Sequence, residues 1–392
     1  MGEEAAGRGP TTPVRIGLIV NPVAGLGGRV GLKGSDGRGT ARRALAMGAK
    51  PQAGFRAAEA LRAILAAWPA RLASPVFSVP RGAMGLEPAL DAGVGVLEIL
   101  SDAVAVRTTA EDTRRAARAM AEQAVDLLLF AGGDGTARDV HAAVGDAVPV
   151  LGIPAGVKIQ SAVFATGPAA AGRVAAEWLA SRSRRTEERE VLDLDEDAYR
   201  SGEVRPALHG YLRVPRGRAV QSRKAPSPPG EVTALAGIAA AVLDELDRER
   251  PWVLGPGTSV RAVAERLGVA KTLVGVDVVE WRNGQPRVVV ADGGEHALLR
   301  AIGDGPAHVV VTPVGGQGFL FGRGNQPISS AVLRAARADG IIVVATPRKL
   351  AELGGRPLLV DTGDAELDAQ LQGTITVITG YRERAIVPVA VA

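Results

Sequence analysis

Leu127-Leu-Leu-Phe-Ala-Gly-Gly-Asp-Gly-Thr136 is the stretch whose reading decides the fold. A short apolar run that ends at glycines reads as a strand buried on both faces, the kind that parallel sheets use. The run starts at Val125, and a helix over 137–144 is expected after the glycines. Gly132, Gly133 and Gly135 around one acid leave backbone amides uncovered at the start of that helix. The helix dipole there favours phosphate. Asp134 then stands beside bound phosphate, able to activate a hydroxyl or to hold Mg²⁺, and Thr136 closes the loop. The alternative is a plain strand-to-helix turn in which Asp134 only caps the helix.

Working outward, the same grammar recurs. Arg15–Val20 is a second apolar run, ended by Asn21-Pro22. Helical periodicity is expected over 54–67, 111–123 and 168–183, and strands over 76–79 and 148–153. Strand alternating with helix argues for a parallel α/β sheet. Arg182–Glu190 is a mixed charge run and reads as a solvated helix end or linker. Val214–Gly230 is rich in Pro, Arg and Ser and reads as an exposed loop or hinge. A second α/β pattern follows, with a helix over 231–248 and strands at 252–254, 272–279, 309–312, 341–345, 358–360 and 375–379. Residues 385–392 are expected to pair with the last of these. The chain thus divides into a disordered lead (1–13), an α/β domain (14–200) and a second domain (201–392), whose last strands are candidates to return to the first.

The composition narrows the chemistry. Lys and Arg number 46 against 42 Asp and Glu, so the net charge of +4 is too small to mark a nucleic-acid binder of 392 residues. Aromatics at 3% are too few for stacking on single strands. Cys is absent, which excludes thiolate metal sites and a Cys nucleophile. The four His are not spaced as metal ligands. No apolar run reaches membrane-spanning length, and the polar N-terminus lacks the core of a signal peptide, so a cytoplasmic protein without membrane partners is expected.

Five other stretches carry candidate chemistry. Asn21-Pro-Val-Ala-Gly25 opens a loop to Gly39 that holds Lys33, Arg29 and bare amides, suited to a polyanion or else a plain surface loop. Its spacing does not fit a P-loop. Gly152-Ile-Pro-Ala-Gly-Val-Lys158 places Lys158 after a strand end, on the sheet edge expected to hold Asp134. Gly255-Pro-Gly-Thr-Ser259 is another strand–glycine–helix junction, and Gly257 and Thr258 are phosphate-binding candidates or an ordinary capped turn. Gly315–Gln326 carries Arg323, a candidate clamp on phosphate or carboxylate. Asp361 follows the strand at 358–360 and is a second candidate for ribose or metal.

In sequence order, Asn-Pro-x-x-Gly, Gly-Gly-Asp-Gly-Thr and a Pro-x-Gly loop resemble the NAD kinase and diacylglycerol/sphingosine-type lipid kinase superfamily. The segments GGRVGLKGSDG, AGGDGTARD, GIPAGVK, GPGT and TPVGGQGFLFGRGN are similar to an ATP-NAD kinase branch that is acetoin-catabolism protein X-like. The resemblance runs from about residue 14 to the end. It implies an NAD kinase/diacylglycerol kinase-like N-terminal nucleotide-binding domain with a second α/β domain, and a homo-oligomer. It implies Mg²⁺-dependent phosphoryl transfer from ATP or polyphosphate to NAD, with Asp134 as general base. Asn21 and Gly25 match the first phosphate loop, and Thr312-Pro313 with Gly315 and Gly316 matches the Thr-Pro-x-Gly segment of NAD kinases. Two departures keep other readings open. Val157-Lys-Ile-Gln160 stands where NAD kinases carry an Asn-Glu pair. Gly255–Ser259 resembles the phosphate loop of sugar-phosphate isomerases. A non-catalytic nucleotide or sugar-phosphate-binding regulator, a kinase of another small hydroxyl-bearing metabolite and a lipid kinase are the alternatives.

Overall fold

Five apolar runs line up as one parallel sheet: β1 (Arg15–Val20), β2 (Val76–Val79), β3 (Leu97–Ile99), β4 (Leu127–Gly132) and β5 (Val150–Pro154). Their order is β3-β2-β1-β4-β5, every neighbouring pair parallel. The computed structural model describes residues 13–32, 39–100, 108–156, 159–194, 206–217, 232–245 and 247–392. The 1–13 lead falls almost wholly outside them.

All of β4 and β5 is buried, as a central parallel strand covered on both faces must be. The helix at Ala53–Ala67 packs on the helix at Pro168–Ala180, and the helix at Ala110–Glu122 packs on that at Asp134–Val144. Thr109 and Asp112 form a reciprocal capping box at Ala110. Chain order reverses between β1 and β4. A crevice therefore lies between the loops that follow these two strands, where open α/β sheets bind ligands.

Arg182–Glu190, read as helix end or linker, is mostly strand. The helix stops at Ala180, and β6 (Thr186–Leu194) pairs antiparallel with β7 (Pro206–Pro215). Its charged residues mask a strand that still buries Val191 against Leu212 and Val214 in the first domain's core. Strand β7 therefore packs with the first domain, although it lies beyond the division at residue 200 expected from sequence.

The second domain holds a nine-stranded mixed sheet: β8 (Trp252–Leu254), β9 (Asp277–Arg282), β10 (Gln285–Val290), β11 (His308–Val311), β12 (Phe319–Phe321), β13 (Ile341–Val344), β14 (Leu358–Val360), β15 (Gly373–Gly380) and β16 (Glu383–Val391). Its order is β10-β9-β8-β11-β13-β15-β16-β14-β12. Strands β8, β11, β13 and β15 run parallel, and β15 turns back into antiparallel β16. The last two strands stay in this sheet. Ala392, just past β16, lies against Gly167 of the first domain.

The strand expected over 272–279 begins only at Asp277. The Asp277 carboxylate accepts from the Thr272 amide and hydroxyl and from the Asp292 amide, and pairs with Lys271 at 3.2 Å. This buried acid folds residues 271–276 into a loop around itself. Burial lowers the Lys271 pKa, and the Asp277 charge opposes that shift.

Candidate functional site

The loop after β1 and the loop after β4 are locked together. The Asn21 side-chain amide donates to the Thr136 hydroxyl at 3.0 Å, and the Asn21 backbone amide donates to the Ala131 carbonyl at 2.9 Å. Gly25 has φ +77°, and a Cβ there would collide with the Ala155 carbonyl oxygen, so only glycine serves. The amides of Ala155 and Gly156 both donate to the Gly132 carbonyl at 2.9 Å. Three sequence-distant loops thus close on one edge of the sheet.

Asp134 is the first residue of its helix, with Gly133 as N-cap. Only 6% of it is exposed. Its two carboxylate oxygens accept from the backbone amides of Gln160 at 2.7 Å and Ser161 at 3.0 Å. Burial pushes its pKa up to about 7, against the opposing hydrogen bonds from Ser161 and Gln160; the Asp193 charge adds to the rise. Ser161 is itself fixed by a hydroxyl bond to the Leu192 carbonyl at 2.8 Å. The β6–β7 hairpin therefore holds the turn that holds the acid. The first-turn amides of the helix, Asp134 to Thr136, have no partner within it, as at any helix start.

A small cleft, partly open to solvent, runs between the domains. Gly25, Gly28, Arg29, Gln52, Arg56, Pro154, Ala155 and Gly156 form one wall; Gly322, Arg323, Gln326, Ile328, Ser329, Asp361, Thr362 and Gly363 form the other. Arg56 spans it with a bidentate pair to Asp361, at 2.7 and 3.1 Å. Arg323 is 5% exposed. It crosses to the first domain and donates through Nη2 to the carbonyls of Thr166 at 2.7 Å and Ala165 at 3.3 Å. Its guanidinium lies 4.2 Å over the Phe319 ring. Burial lowers its pKa to about 9, so it stays charged at neutral pH. Gln317 also crosses, donating to the Ile159 carbonyl at 2.9 Å.

The sequence-derived candidates divide among three places. Asn21, Gly25, Gly132, Gly133, Asp134, Gly135 and Thr136 share the β1–β4 edge, and of these Gly25 lines the cleft. Arg323 and Asp361 form part of the opposite wall. Gly257 and Thr258 lie at the start of the helix at Thr258–Leu267, outside the cleft lining, with no side-chain cap bond. Lys33 and Lys158 lie outside the described residues. Asp361 pairs with Arg56 through both carboxylate oxygens. Among the described residues no cluster of three His, Asp or Glu could hold a metal ion. Arg56 went unread in the sequence because it sits on an ordinary helix with no motif around it. The amides that hold Asp134 carry no sequence signal at all.

Two family models match the two halves of the chain. Residues 16–182 match the ATP-NAD kinase N-terminal domain and residues 248–389 the ATP-NAD kinase C-terminal domain. Together these cover most of the chain, which belongs to the ATP-NAD kinase family. The Gly255–Ser259 junction lies inside the second match. No curated protein is significantly similar to the chain. One crystal structure, described as that of "a putative diacylglycerol kinase from Bacillus anthracis str. Sterne", is similar at 13% identity and a TM-score of 0.25, over 70% of this chain. The match spans 61% of that protein's length. No helix among the described residues is long and apolar enough to cross a membrane.

Proposed function

We propose that this protein transfers a phosphoryl group from ATP or polyphosphate to a hydroxyl of a small nucleotide, NAD being the acceptor that the family implies, with Asp134 as general base. The observation that carries the reading is the Asp134 carboxyl, buried at the start of a helix on the crevice edge with its pKa raised to about 7. A general base works best with a pKa near the operating pH. The two backbone amides occupy one acceptor position on each oxygen and leave others for a hydroxyl. The glycine-loop amides and helix start would neutralise the phosphate. Phosphoryl transfer needs little more from a protein than positioning and charge stabilisation.

A Mg²⁺ bound mainly by the donor's phosphates fits this donor set, since Mg²⁺ keeps several waters and takes few protein ligands. Asp134, at the start of the helix after the glycine loop, would approach it, and the ion would supply charge neutralisation.

A second reading, ligand binding without turnover, is favoured by one observation: Asp134 is absent from the cleft lining, where arginines gather instead. The discriminating experiment is NADP formation from NAD, Mg²⁺ and either ATP or polyphosphate, beside Asp134→Asn. Product made by the wild type and lost in the variant supports the kinase. No product from a folded protein that still binds nucleotide supports the second reading.

A further inference from the structure

The second domain repeats, on its own sheet, a strand–glycine–helix junction. Strands β8, β11 and β13 are parallel neighbours, so their carboxyl ends share one edge of the sheet. Open α/β sheets bind ligands beyond such ends. Strand β8 runs through Gly255-Pro-Gly257 straight into the helix at Thr258–Leu267, β11 leads into Thr312, and β13 leads into Thr346. Gly257 has φ +111°, and a Cβ there would stand 2.8 Å from Thr312 Cγ2. Only glycine lets the helix begin this close to the next strand end. None of these residues lines the cleft that holds Arg56 and Arg323.

The start of this helix is open. Its first internal bond runs from the Arg261 amide to the Gly257 carbonyl at 3.0 Å. The amides of Thr258, Ser259 and Val260 have no partner among the described residues. An open helix start is ordinary, but Ser259 is not. It is 1% exposed, and its hydroxyl makes no hydrogen bond among the described residues. A hydroxyl shut away from water without a partner costs stability, so its presence calls for an acceptor or donor from outside the chain. The Cα–Cβ bond of a helical residue tilts toward the helix N-terminus, which turns this hydroxyl to the side of the free amides. A cation stands at the same edge: Lys349 Nζ donates to the Thr312 hydroxyl at 2.9 Å. Asp277, the acid opposite Leu254, is already paired with Lys271 at 3.2 Å.

We propose that the amides of Thr258, Ser259 and Val260, the Ser259 hydroxyl and Lys349 form a site for the phosphate monoester of a small metabolite, within the second domain and apart from the nucleotide site. The junction is a short turn, Gly255 to Gly257, that presents a single turn of helix. It offers donors to the free oxygens of one phosphate group and not to a phosphate chain. A monoester dianion matches a helix start with one ammonium beside it. The site stands apart from the kinase reading, since it asks only that the second domain bind.

The test is calorimetric titration of the full-length protein with methyl phosphate, the smallest such monoester, and with dimethyl phosphate as the diester control. Saturating ATP is present throughout, so that the glycine loop after β4 is filled. Wild type should bind methyl phosphate and not dimethyl phosphate. Ser259→Ala should weaken binding about tenfold, the effect of losing a hydrogen bond to a charged group. Without methyl phosphate the same variant should melt at or above the wild-type temperature, because it removes a hydroxyl that has no partner. A lower melting temperature would mark a hydroxyl that serves the fold, and would overturn the argument. Lys349→Gln should weaken binding severalfold. The proposal is also overturned by wild type binding methyl phosphate no better than the diester, or by Ser259→Ala binding like wild type. It is overturned too if methyl phosphate binds only when ATP and NAD are left out, which assigns it to the nucleotide site. A protein that binds methyl phosphate beside ATP but makes no NADP keeps this site and loses the kinase reading. One that makes NADP but fails the titration loses the site and keeps the kinase reading.

Discussion

The two walls of the cleft region are built on opposite plans. The first-domain edge is mostly backbone: glycine loops, a helix start and one acid clamped by two amides. The second-domain wall works through side chains, Arg323 wedged on Phe319 and Asp361 joined to Arg56. A backbone site depends on local conformation and tolerates little change in shape. A side-chain site depends on partners brought from far along the chain, 305 residues apart for Arg56 and Asp361. Mutations should therefore act through chemistry and folding on the first plan, and through affinity and domain contact on the second.

The largest effect tests the chemistry of the first plan. Asp134→Asn should lower kcat by about 10²–10⁴, the usual contribution of a positioned base, with nucleotide affinity nearly unchanged. Comparable turnover in the variant would reduce Asp134 to an anchor for the Gln160–Ser161 turn. The pH profile sharpens the same point. Asp134 accepts a proton only when ionised, so kcat/KM should rise with pH up to about 7 and level off above it. Because the folded pKa lies above the unfolded value, the native state holds the extra proton. Its contribution to stability is present at low pH and lost as pH rises through about 7. Thermal melts of wild type and Asp134→Asn across that window should diverge accordingly.

Next in size is the shape of the first wall. Gly25→Val forces a β-branched side chain into φ +77° and against the Ala155 carbonyl, and should cost about 3 kcal/mol in chemical denaturation. The second plan gives a smaller number. Arg56→Ala strands Asp361 in a partly buried position and should cost about 2 kcal/mol, appearing as earlier separation of the two domains in proteolysis. Smallest is Asn21→Ala, which loses its bond to the Thr136 hydroxyl and the one it accepts from the Val23 amide, and should cost about 1 kcal/mol. If Asn21→Ala proved worse than Gly25→Val, the contrast between a backbone-built and a side-chain-built wall would fail.

What could be read without coordinates follows the same contrast. The β1, β4 and β5 strands and the glycine loop between β4 and its helix are local patterns: apolar runs, breakers and a helix start within about ten residues of each other. The β6–β7 hairpin escaped because its exposed face is charged, so period and composition disagreed. The strand at Asp277 was misplaced because a buried acid, not hydrophobic alternation, sets where it begins.

The sequence by itself determined the order of the phosphate-facing loops, the presence of Asp134 at a helix start and the availability of Arg323 as a cation. Those properties reside in neighbouring residues, and short-range sterics and hydrogen bonding enforce them. Only the tertiary structure decided that amides of Gln160 and Ser161 would clamp Asp134, that Asp361 would pair with Arg56, and that Arg323 would cross between domains with one nitrogen left unpaired. Each of those outcomes turns on burial and on contacts between distant segments, and burial is a property of the packed chain rather than of any stretch within it.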